Sequence, residues 1–298
     1  MMRVTTGMMH RRLMTNMHTN LNKMANTQEK LNTGKSINRP SDNPVGLTFA
    51  MRYRSEIAAN DEYQKSVDSA KAWVEQTDTA LSQVSDIMQR VKELGVMGAN
   101  GTNGAEGQEA IAAEVDQLAG QLRDIANAQF DGKYIFNGQR TDQPPYPAGI
   151  EPEQAQFDKG SIRFAVSKGI ELQVNKHAGQ IFGESTDADN IFTTLKDMSA
   201  ALRSGDEESV GALISKVDSR FQTMLESHSD LGAKANRIDL VESRLGDASY
   251  NLQGLLSKTE DIDFAEVISK FKMEESIYEA TLSMGAKIIQ PSLVDFLR

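Results

Sequence analysis

The sequence predicts a mainly α-helical protein in which long-helix segments from both chain ends enclose a small β-rich domain. Near both termini, apolar residues recur with alternating spacings of three and four, which is the pattern of a coiled-coil seam. The same spacing continues through long interior segments and changes to a period of two only in the middle of the chain. The nested order predicts terminal heptad helices at 1–40 and 263–298, a long-helix bundle domain at 41–131 and 190–262, and a β-rich outer domain at 132–189.

The composition is typical of long helices that each bury one narrow stripe. Of the 298 residues, 39% are hydrophobic and only 6% aromatic, both low for a single deep core. The lack of cysteine excludes disulfides and thiolate metal sites. Residues 1–40 contain seven Lys or Arg residues and one acid, which gives this segment a charge of +6. Because the net charge of the chain is −10, the remaining residues carry −16. Because the body is acidic, nucleic acid is not expected as a partner.

The first two helices are separated by a short turn. Residues 38–44 contain two prolines together with Asn and Asp, which favours a turn after the first helix ends at Gly34. Asn43 followed by Pro44 has the form of an N-cap with proline at the first helical position. The seam residues of the first helix are Met14, Met17, Leu21, Met24, Gln28 and Leu31.

Two further helices are predicted before the middle of the chain. The second helix extends from Pro44 to about Leu94. Residues 95–107 contain five glycines and two asparagines and are expected to form a loop. A third helix follows, since apolar residues recur with helical spacing over 111–125.

The middle of the chain has the periodicity of strands. Residues 134–136 followed by Asn137-Gly138 predict a strand that ends in a tight turn. Four prolines between residues 144 and 152 exclude a helix there. Alternating apolar residues on both sides of residues 167–169 predict a hairpin with one buried face. Those residues are Ile162, Phe164 and Val166 before the turn and Ile170, Leu172 and Val174 after it.

Helical spacing resumes at Asn190 and continues almost to the C-terminus. Ser204, with Glu207 three residues later, predicts a capping box at the start of the next long helix. That helix carries His228 at a core position, where a hydrogen-bonded imidazole is expected rather than a metal ligand. Asp263 predicts the cap of a last helix. Its seam residues are Phe264, Ile268, Phe271, Glu275, Tyr278, Leu282, Gly285 and Ile289.

No pattern in the sequence favours an enzyme, a cofactor or a metal site. Gly34-Lys35-Ser36 matches the end of a phosphate-binding loop, but Glu29 stands where that loop requires glycine. The four histidines lie far apart, so none has metal-ligand spacing. Residues 187–190 lack the glycine and the distant glutamate of a calcium loop, and helix capping accounts for them better. No apolar run is long enough for a membrane span, and the N-terminus has no Sec-type signal.

Four segments carry motifs that occur together in a fixed order. They are MRVTTGM at 2–8, GKSINRPSDNP at 34–44, AQFDGKYIFNG at 128–138 and QPSLVDFLR at 290–298. In these segments the chain resembles the flagellar hook–filament junction proteins of the flagellin family, over about 1–140 and 215–298. Flagellins share the nested plan and the Leu-Arg ending, but they tend to have a different opening and an Ala/Gln-rich final helix, which this sequence lacks.

The resemblance implies a structural subunit of the bacterial flagellum that joins hook to filament as a self-assembling ring. Its implied partners are like subunits, a neighbouring hook-associated protein on the hook side, filament flagellin, and an export chaperone for the C-terminal helix. It implies type III export to the extracellular flagellum without a cleaved signal peptide. No nucleic-acid binding, membrane insertion, cofactor or enzymatic activity is implied.

The terminal heptads would then order and pair on assembly, because each apolar stripe needs a partner surface. The predicted assembly interface consists of Met14, Met17, Leu21, Met24, Leu31, Phe271, Tyr278, Leu282, Ile289, Leu293 and Phe296. The predicted turn between terminal and bundle helices contains Asn38, Arg39, Pro40, Asp42 and Pro44. Two alternatives remain: a flagellin, which would form long filaments alone, or a coiled-coil binding or adhesin module, whose termini would be stable in isolation.

Overall fold

The structure is a computed structural model that describes residues 6–100 and 104–289. Its described residues fall into two compact units, one made of the residues up to 59 and from 248 onward, the other of residues 60–247. The helices are α1 (Thr6–Thr33), α2 (Pro44–Ala99), α3 (Ala105–Ala126), α4 (Ala178–Phe182), α5 (Ile191–Ser204), α6 (Glu207–Glu260) and α7 (Phe264–Ile289). The strands are β1 (Gln129–Phe130), β2 (Lys133–Tyr134), β3 (Arg163–Ser167) and β4 (Ile170–Gln173). The predicted mainly α class with a small β-containing middle is confirmed.

The helical core of residues 60–247 follows the predicted spacing of three and four. On α2 and α6, the apolar seam residues are almost entirely buried, and α3 and α5 add their own apolar faces. His228, at its predicted core position, is hydrogen-bonded: its Nε2 lies 2.8 Å from the Asp78 carboxylate. The buried seam residues include Val67, Val74, Leu81, Val84, Met88 and Val91 of α2 and Met224, Leu231, Ile238 and Leu245 of α6.

The glycine-rich loop is shorter at both ends than the sequence predicts. Helix α2 continues to Ala99 and α3 begins at Ala105, so three of the five glycines are helical. The reason at Gly95 is close packing, since a Cβ placed there would lie 2.9 Å from Cγ1 of Ile214. A glycine inside a helix costs only about 1 kcal/mol relative to alanine, and tight helix packing offsets that cost.

The first predicted strand lies a few residues earlier than expected. Strands β1 and β2 form an antiparallel hairpin around Asp131-Gly132, whose φ angles of 51° and 72° are the left-handed values of a two-residue hairpin turn. Ile135 and Phe136, predicted as strand, are fully buried after β2 has ended. Phe136 packs edge-on against Phe182, with ring centroids 5.8 Å apart, so packing in the core explains why residue 136 is apolar.

The second predicted hairpin is confirmed. Strands β3 and β4 pair antiparallel, with a register irregularity between Ala165 and Ser167. Val166 and Leu172 form its buried face, while Ile170 is 42% exposed. The one-sided burial that the alternating residues predict therefore holds at Val166 and Leu172 and fails at Ile170, which pairs with Ser167 beside the irregularity.

Helix α5 has the N-cap that the sequence predicts, whereas α6 is capped by a different residue from the one predicted. Asn190 caps α5 as expected, accepting hydrogen bonds from the backbone N–H groups of Phe192 and Thr193. Gly205, at φ 72°, ends α5, so Ser204 lies inside that helix. Asp206 takes the predicted role of Ser204, because its carboxylate accepts from the Ser209 N–H at 3.1 Å.

Buried charges join the region before α5 to α6. The Arg220 guanidinium, whose side chain is 6% exposed, donates to the Asp187 carboxylate at 3.1 Å and pairs with the Asp189 carboxylate. Lys176 pairs with Asp230 at 2.7 Å. Among residues 6–100 and 104–289, no group of three or more His, Asp or Glu is placed to hold a metal ion. In the same ranges, no helix is both long and apolar enough to cross a membrane.

Candidate assembly interface

Helices α1 and α7 lie antiparallel against each other. Near the start of α7, Ile262 N–H donates to the Gly34 carbonyl at 3.2 Å. Near the start of α1, a Cβ placed on Gly285 would lie 3.0 Å from Cδ2 of Leu13. The two contacts fix the register, and Gly285 lets the helices approach closely at that end.

A stripe of partly buried side chains runs along each helix of this pair. Of the predicted interface residues, six lie on the stripes: Met17, Leu21, Met24, Leu31, Phe271 and Tyr278. The residues that sequence reasoning missed are Leu13 and Thr27 on α1 and Val267 and Thr281 on α7. Their spacing is as regular as the predicted one, so the heptad pattern could have included them.

The remaining predicted interface residues are exposed or lie outside the described part of the chain. Met14 is 40% exposed and Leu282 is 45% exposed, so neither is covered by the partner helix. The side chain of Ile289 and the whole of Leu293 and Phe296 lie outside the described residues. Phe264 and Ile268, predicted on the seam of α7, are 54% and 49% exposed. The helix turns by about 100° per residue, so a seam followed in steps of three and four drifts from the true contact line.

The apolar surface of α7 is much wider than the stripe that α1 covers. An α-helix turns by about 100° per residue, so Phe264, Ile268 and Leu282 lie within about 40° of one another around the helix axis. They form one flank of that stripe. Met273, Ile277 and Met284 lie on the other flank and are between 45% and 61% exposed. We call these two groups the apolar flanks of α7. Six exposed apolar side chains on one helix are unusual for a surface that stays in water.

The predicted turn between α1 and α2 is held by hydrogen bonds to the side chain of Asp42. One oxygen of Asp42 accepts from the N–H groups of Asn38 and Arg39 at 3.0 and 2.9 Å, and these bonds hold the pKa of Asp42 below its usual value. The side chain of Arg39 pairs with Glu29 at 2.8 Å. Pro40 lies within this exposed turn.

The N-terminal cap of α2 comes directly after this turn in the sequence. The amide oxygen of Asn43 accepts from Gly46 N–H at 2.9 Å, and Pro44 is the first residue of the helix. The predicted N-cap and first helical proline are confirmed.

A buried carboxylate holds this turn against the end of α6. Glu260 is 4% exposed. It pairs with Lys35 at 2.9 Å and with Arg54, and its backbone carbonyl accepts from the hydroxyl of Ser36 at 3.1 Å. No local pattern indicates this arrangement, because its members come from separate parts of the chain. A carboxylate this deeply buried is tolerated because two cations neutralise it.

A groove of about 630 Å³ lies beside the turn, between α1 and α7. It is lined by charges of both signs, including Lys23, Lys270 and Asp263. One carboxylate oxygen of Glu274 is buried and has no hydrogen-bond partner within the described part of the chain. An unpaired buried carboxylate oxygen is costly, so a donor from another molecule would stabilise this face.

The two terminal regions of the chain match known sequence families. Residues 4–141 match the bacterial flagellin N-terminal helical region, and residues 214–297 match the bacterial flagellin C-terminal helical region. The flagellar filament 30.7 kDa core protein of Treponema maltophilum is 27% identical over 261 residues, covering 87% of this chain and 86% of its own. Flagellar hook-associated protein 3 of Escherichia coli K12 is 24% identical over 300 residues, covering 94% and 95%.

Solved structures share the fold. The crystal structure of Bacillus cereus FlgL has a TM-score of 0.60 at 22% identity, covering 69% of this chain and 99% of its own. The flagellar junction protein FlgL of Legionella pneumophila has a TM-score of 0.59 at 15% identity, covering 72% and 100%. At these identities the likeness concerns the fold alone.

Proposed function

The chain belongs to the bacterial flagellin family, and from that premise we propose that it is a structural subunit that joins the flagellar hook to the filament as a self-assembling ring. The observation that carries the proposal is the pair of apolar flanks of α7, which α1 leaves exposed. Burying apolar surface is the main favourable contribution to association between subunits. A helix that is apolar on both sides of its covered stripe can therefore contact two further helices of neighbouring subunits.

The junction role is favoured by the ends of the sequence and by the relatives. The opening at 2–8 and the ending at 290–298 resemble junction proteins, and the similarity to hook-associated protein 3 covers nearly the full length of both chains. In this role the subunit contacts a hook-associated protein below and flagellin above.

A flagellin is the second candidate, and it is favoured by the 27% identity to a filament core protein. The two roles differ in self-assembly. A flagellin forms long filaments from purified protein alone, whereas a junction protein stops at short assemblies. Electron microscopy of the purified protein under filament-forming conditions separates them, and long filaments would contradict the junction role.

Export and chaperone binding complete the proposal. The subunit leaves the cell through the flagellar export channel, and the chain has no cysteine that could close a disulfide before passage. The exposed apolar flanks of α7 are an aggregation hazard before assembly, so an export chaperone covers this helix. A variant truncated before residue 263 that still binds the chaperone at full affinity would contradict this assignment.

The decisive experiment replaces one residue of the apolar flanks. Leu282→Asp places a charge on the surface proposed to contact a neighbour, while the monomer keeps its fold because the side chain is 45% exposed. The variant is expressed in a strain that lacks the wild-type gene, and flagella are examined by electron microscopy. We expect secreted, folded monomer and no incorporation at the hook tip.

The matched control is Leu240→Asp. Leu240 is 72% exposed and lies on α6, so it belongs to neither apolar flank of α7. This variant should assemble normally. Normal flagella from Leu282→Asp would refute the proposed interface, as would an equal loss of assembly in both variants.

A further inference from the structure

A cleft of about 1040 Å³ opens in the unit of residues 60–247, beside α2 and the two hairpins. Its apolar lining comes from Trp73, Phe130 and Phe164. Its polar rim includes Asp68, Asp131 and Lys133. We call it the aromatic cleft. None of its lining residues belongs to the candidate assembly interface.

The aromatic part of the cleft is rigidly held. Trp73 is 5% exposed and packs edge-on against Phe130, with ring centroids 6.2 Å apart at an interplanar angle of 86°. Phe164 is partly buried and starts the buried face of the β3–β4 hairpin. The indole N–H of Trp73 is buried and has no acceptor among the residues that the structure describes. A buried donor of this kind normally has a partner.

Three charged side chains of the rim have no partner within the described part of the chain. In the described ranges, the side chains of Asp68, Asp131 and Lys133 form no ion pair or hydrogen bond, although neighbouring charges do. Asp131 stands at the tip of the β1–β2 turn, where its φ of 51° fixes its position. The rim thus presents acceptors and donors, on α2 and on the β1–β2 hairpin, around an apolar floor.

The balance of charge decides what kind of ligand fits. Asp68 and Asp131 are opposed by Lys133 and Arg163, so the four charges that line the cleft cancel. Arg163 also lies 3.8 Å from the carboxylate of Glu171, which does not line the cleft. A cleft without net charge does not favour an anion or a cation. It favours a neutral molecule with an apolar face and many groups that both donate and accept hydrogen bonds.

We propose that the aromatic cleft binds a neutral saccharide. A pyranose ring packs its C–H face against an aromatic ring, whose face carries partial negative charge, and its hydroxyls both donate and accept. A few placed polar groups around an apolar floor are typical of small-molecule sites. This site is independent of the proposed assembly, because it involves neither α1 nor α7.

The chain supplies its own probe, since Trp73 is its only tryptophan. Purified full-length protein is titrated with glucose, galactose, N-acetylglucosamine and their disaccharides while the emission of Trp73 is recorded. Saturation-transfer NMR on the same samples detects bound sugar without depending on fluorescence. We expect at least one sugar to give a saturable change in both measurements.

Two variants locate the bound sugar. Phe164→Ala removes an aromatic surface, and Asp131→Asn removes a charged acceptor while keeping a residue that tolerates the left-handed turn. Each should weaken binding by roughly tenfold, the effect of losing one good contact. Ile170→Ala, which trims an exposed residue of the same hairpin outside the cleft, should leave binding unchanged.

Two results would overturn the proposal. One is the absence of saturable binding by every sugar in both measurements, as expected if the cleft instead holds a peptide strand. The other is sugar binding that is unaffected by Asp131→Asn, a variant of an exposed side chain whose fold can be checked by circular dichroism.

Discussion

Arg54 of α2 donates a hydrogen bond to the carboxylate of Glu260 at the end of α6, although 206 positions separate them in sequence. Lys35 contributes a second cation to the same carboxylate. The three side chains hold the turn after α1 close to the turn before α7. At these turns α1 ends and α7 begins. The geometry of the candidate interface therefore depends on a residue outside it.

Replacing Glu260 by glutamine should destabilise the unit that contains α1 and α7. Glutamine keeps the shape but removes the charge that neutralises two cations. We expect the free energy of unfolding to fall by about 1–2 kcal/mol, less than for a fully buried pair because both cations are partly exposed. Urea denaturation followed by circular dichroism measures the change. Glu62→Gln, which breaks an exposed pair with Lys65, is the control and should cost less than about 0.5 kcal/mol.

Two helical glycines should respond to alanine in opposite directions. At Gly95 a Cβ would lie 2.9 Å from Ile214, so Gly95→Ala should destabilise the protein by about 1 kcal/mol through overpacking. At Gly211 a Cβ would meet nothing within 4 Å, so Gly211→Ala should stabilise it by about 0.5–1 kcal/mol through helix propensity. Thermal denaturation of both variants provides the comparison. Equal stabilisation by both would show that Gly95 has no packing role.

Removing the cap of α5 should be costly. Asn190 is 2% exposed, accepts from the N–H groups of two residues in the first turn and donates to the Gly183 carbonyl at 3.0 Å. Asn190→Ala should lower the free energy of unfolding by about 2 kcal/mol, the upper end for a helix cap. Asn251→Ala, an exposed position on α6, should change it by less than about 0.5 kcal/mol in urea denaturation. A small effect at Asn190 would mean that water replaces the cap.

Acidification should weaken the fold through His177. Burial, followed by the charge of Lys159, lowers the pKa of His177 in the folded state. The unfolded chain gains this proton near pH 6.5 while the folded chain resists it, so the free energy of unfolding should fall as the pH drops below about 6.5. His177→Gln should flatten this slope in denaturation curves recorded between pH 7.5 and 5.5. The exposed variant His18→Gln should keep it, and an unchanged slope in His177→Gln would contradict the assignment.

The sequence predicts the lengths and order of the long helices because heptad spacing is a local signal repeated many times. It does not predict which of two adjacent positions faces the partner helix. Leu13 rather than Met14 meets Gly285, since a helix turn is not a whole number of residues. The sequence predicts a loop at Gly95 and Gly98, which are helical, because glycine is required there by packing against a distant part of the chain. Ile214 packs at Gly95 and Leu202 at Gly98. No sequence pattern predicts the ion pair of Arg54 with Glu260, because the two residues are 206 positions apart.

The exposed flanks of α7 would make the proposed contact between subunits depend on temperature. Contacts between apolar side chains are driven near room temperature by the entropy of released water, and their formation lowers the heat capacity. They weaken on cooling. A ring held together through Phe264, Ile268 and Leu282 would thus loosen in the cold and tighten on warming, so the temperature at which flagella are isolated would decide whether the joint survives.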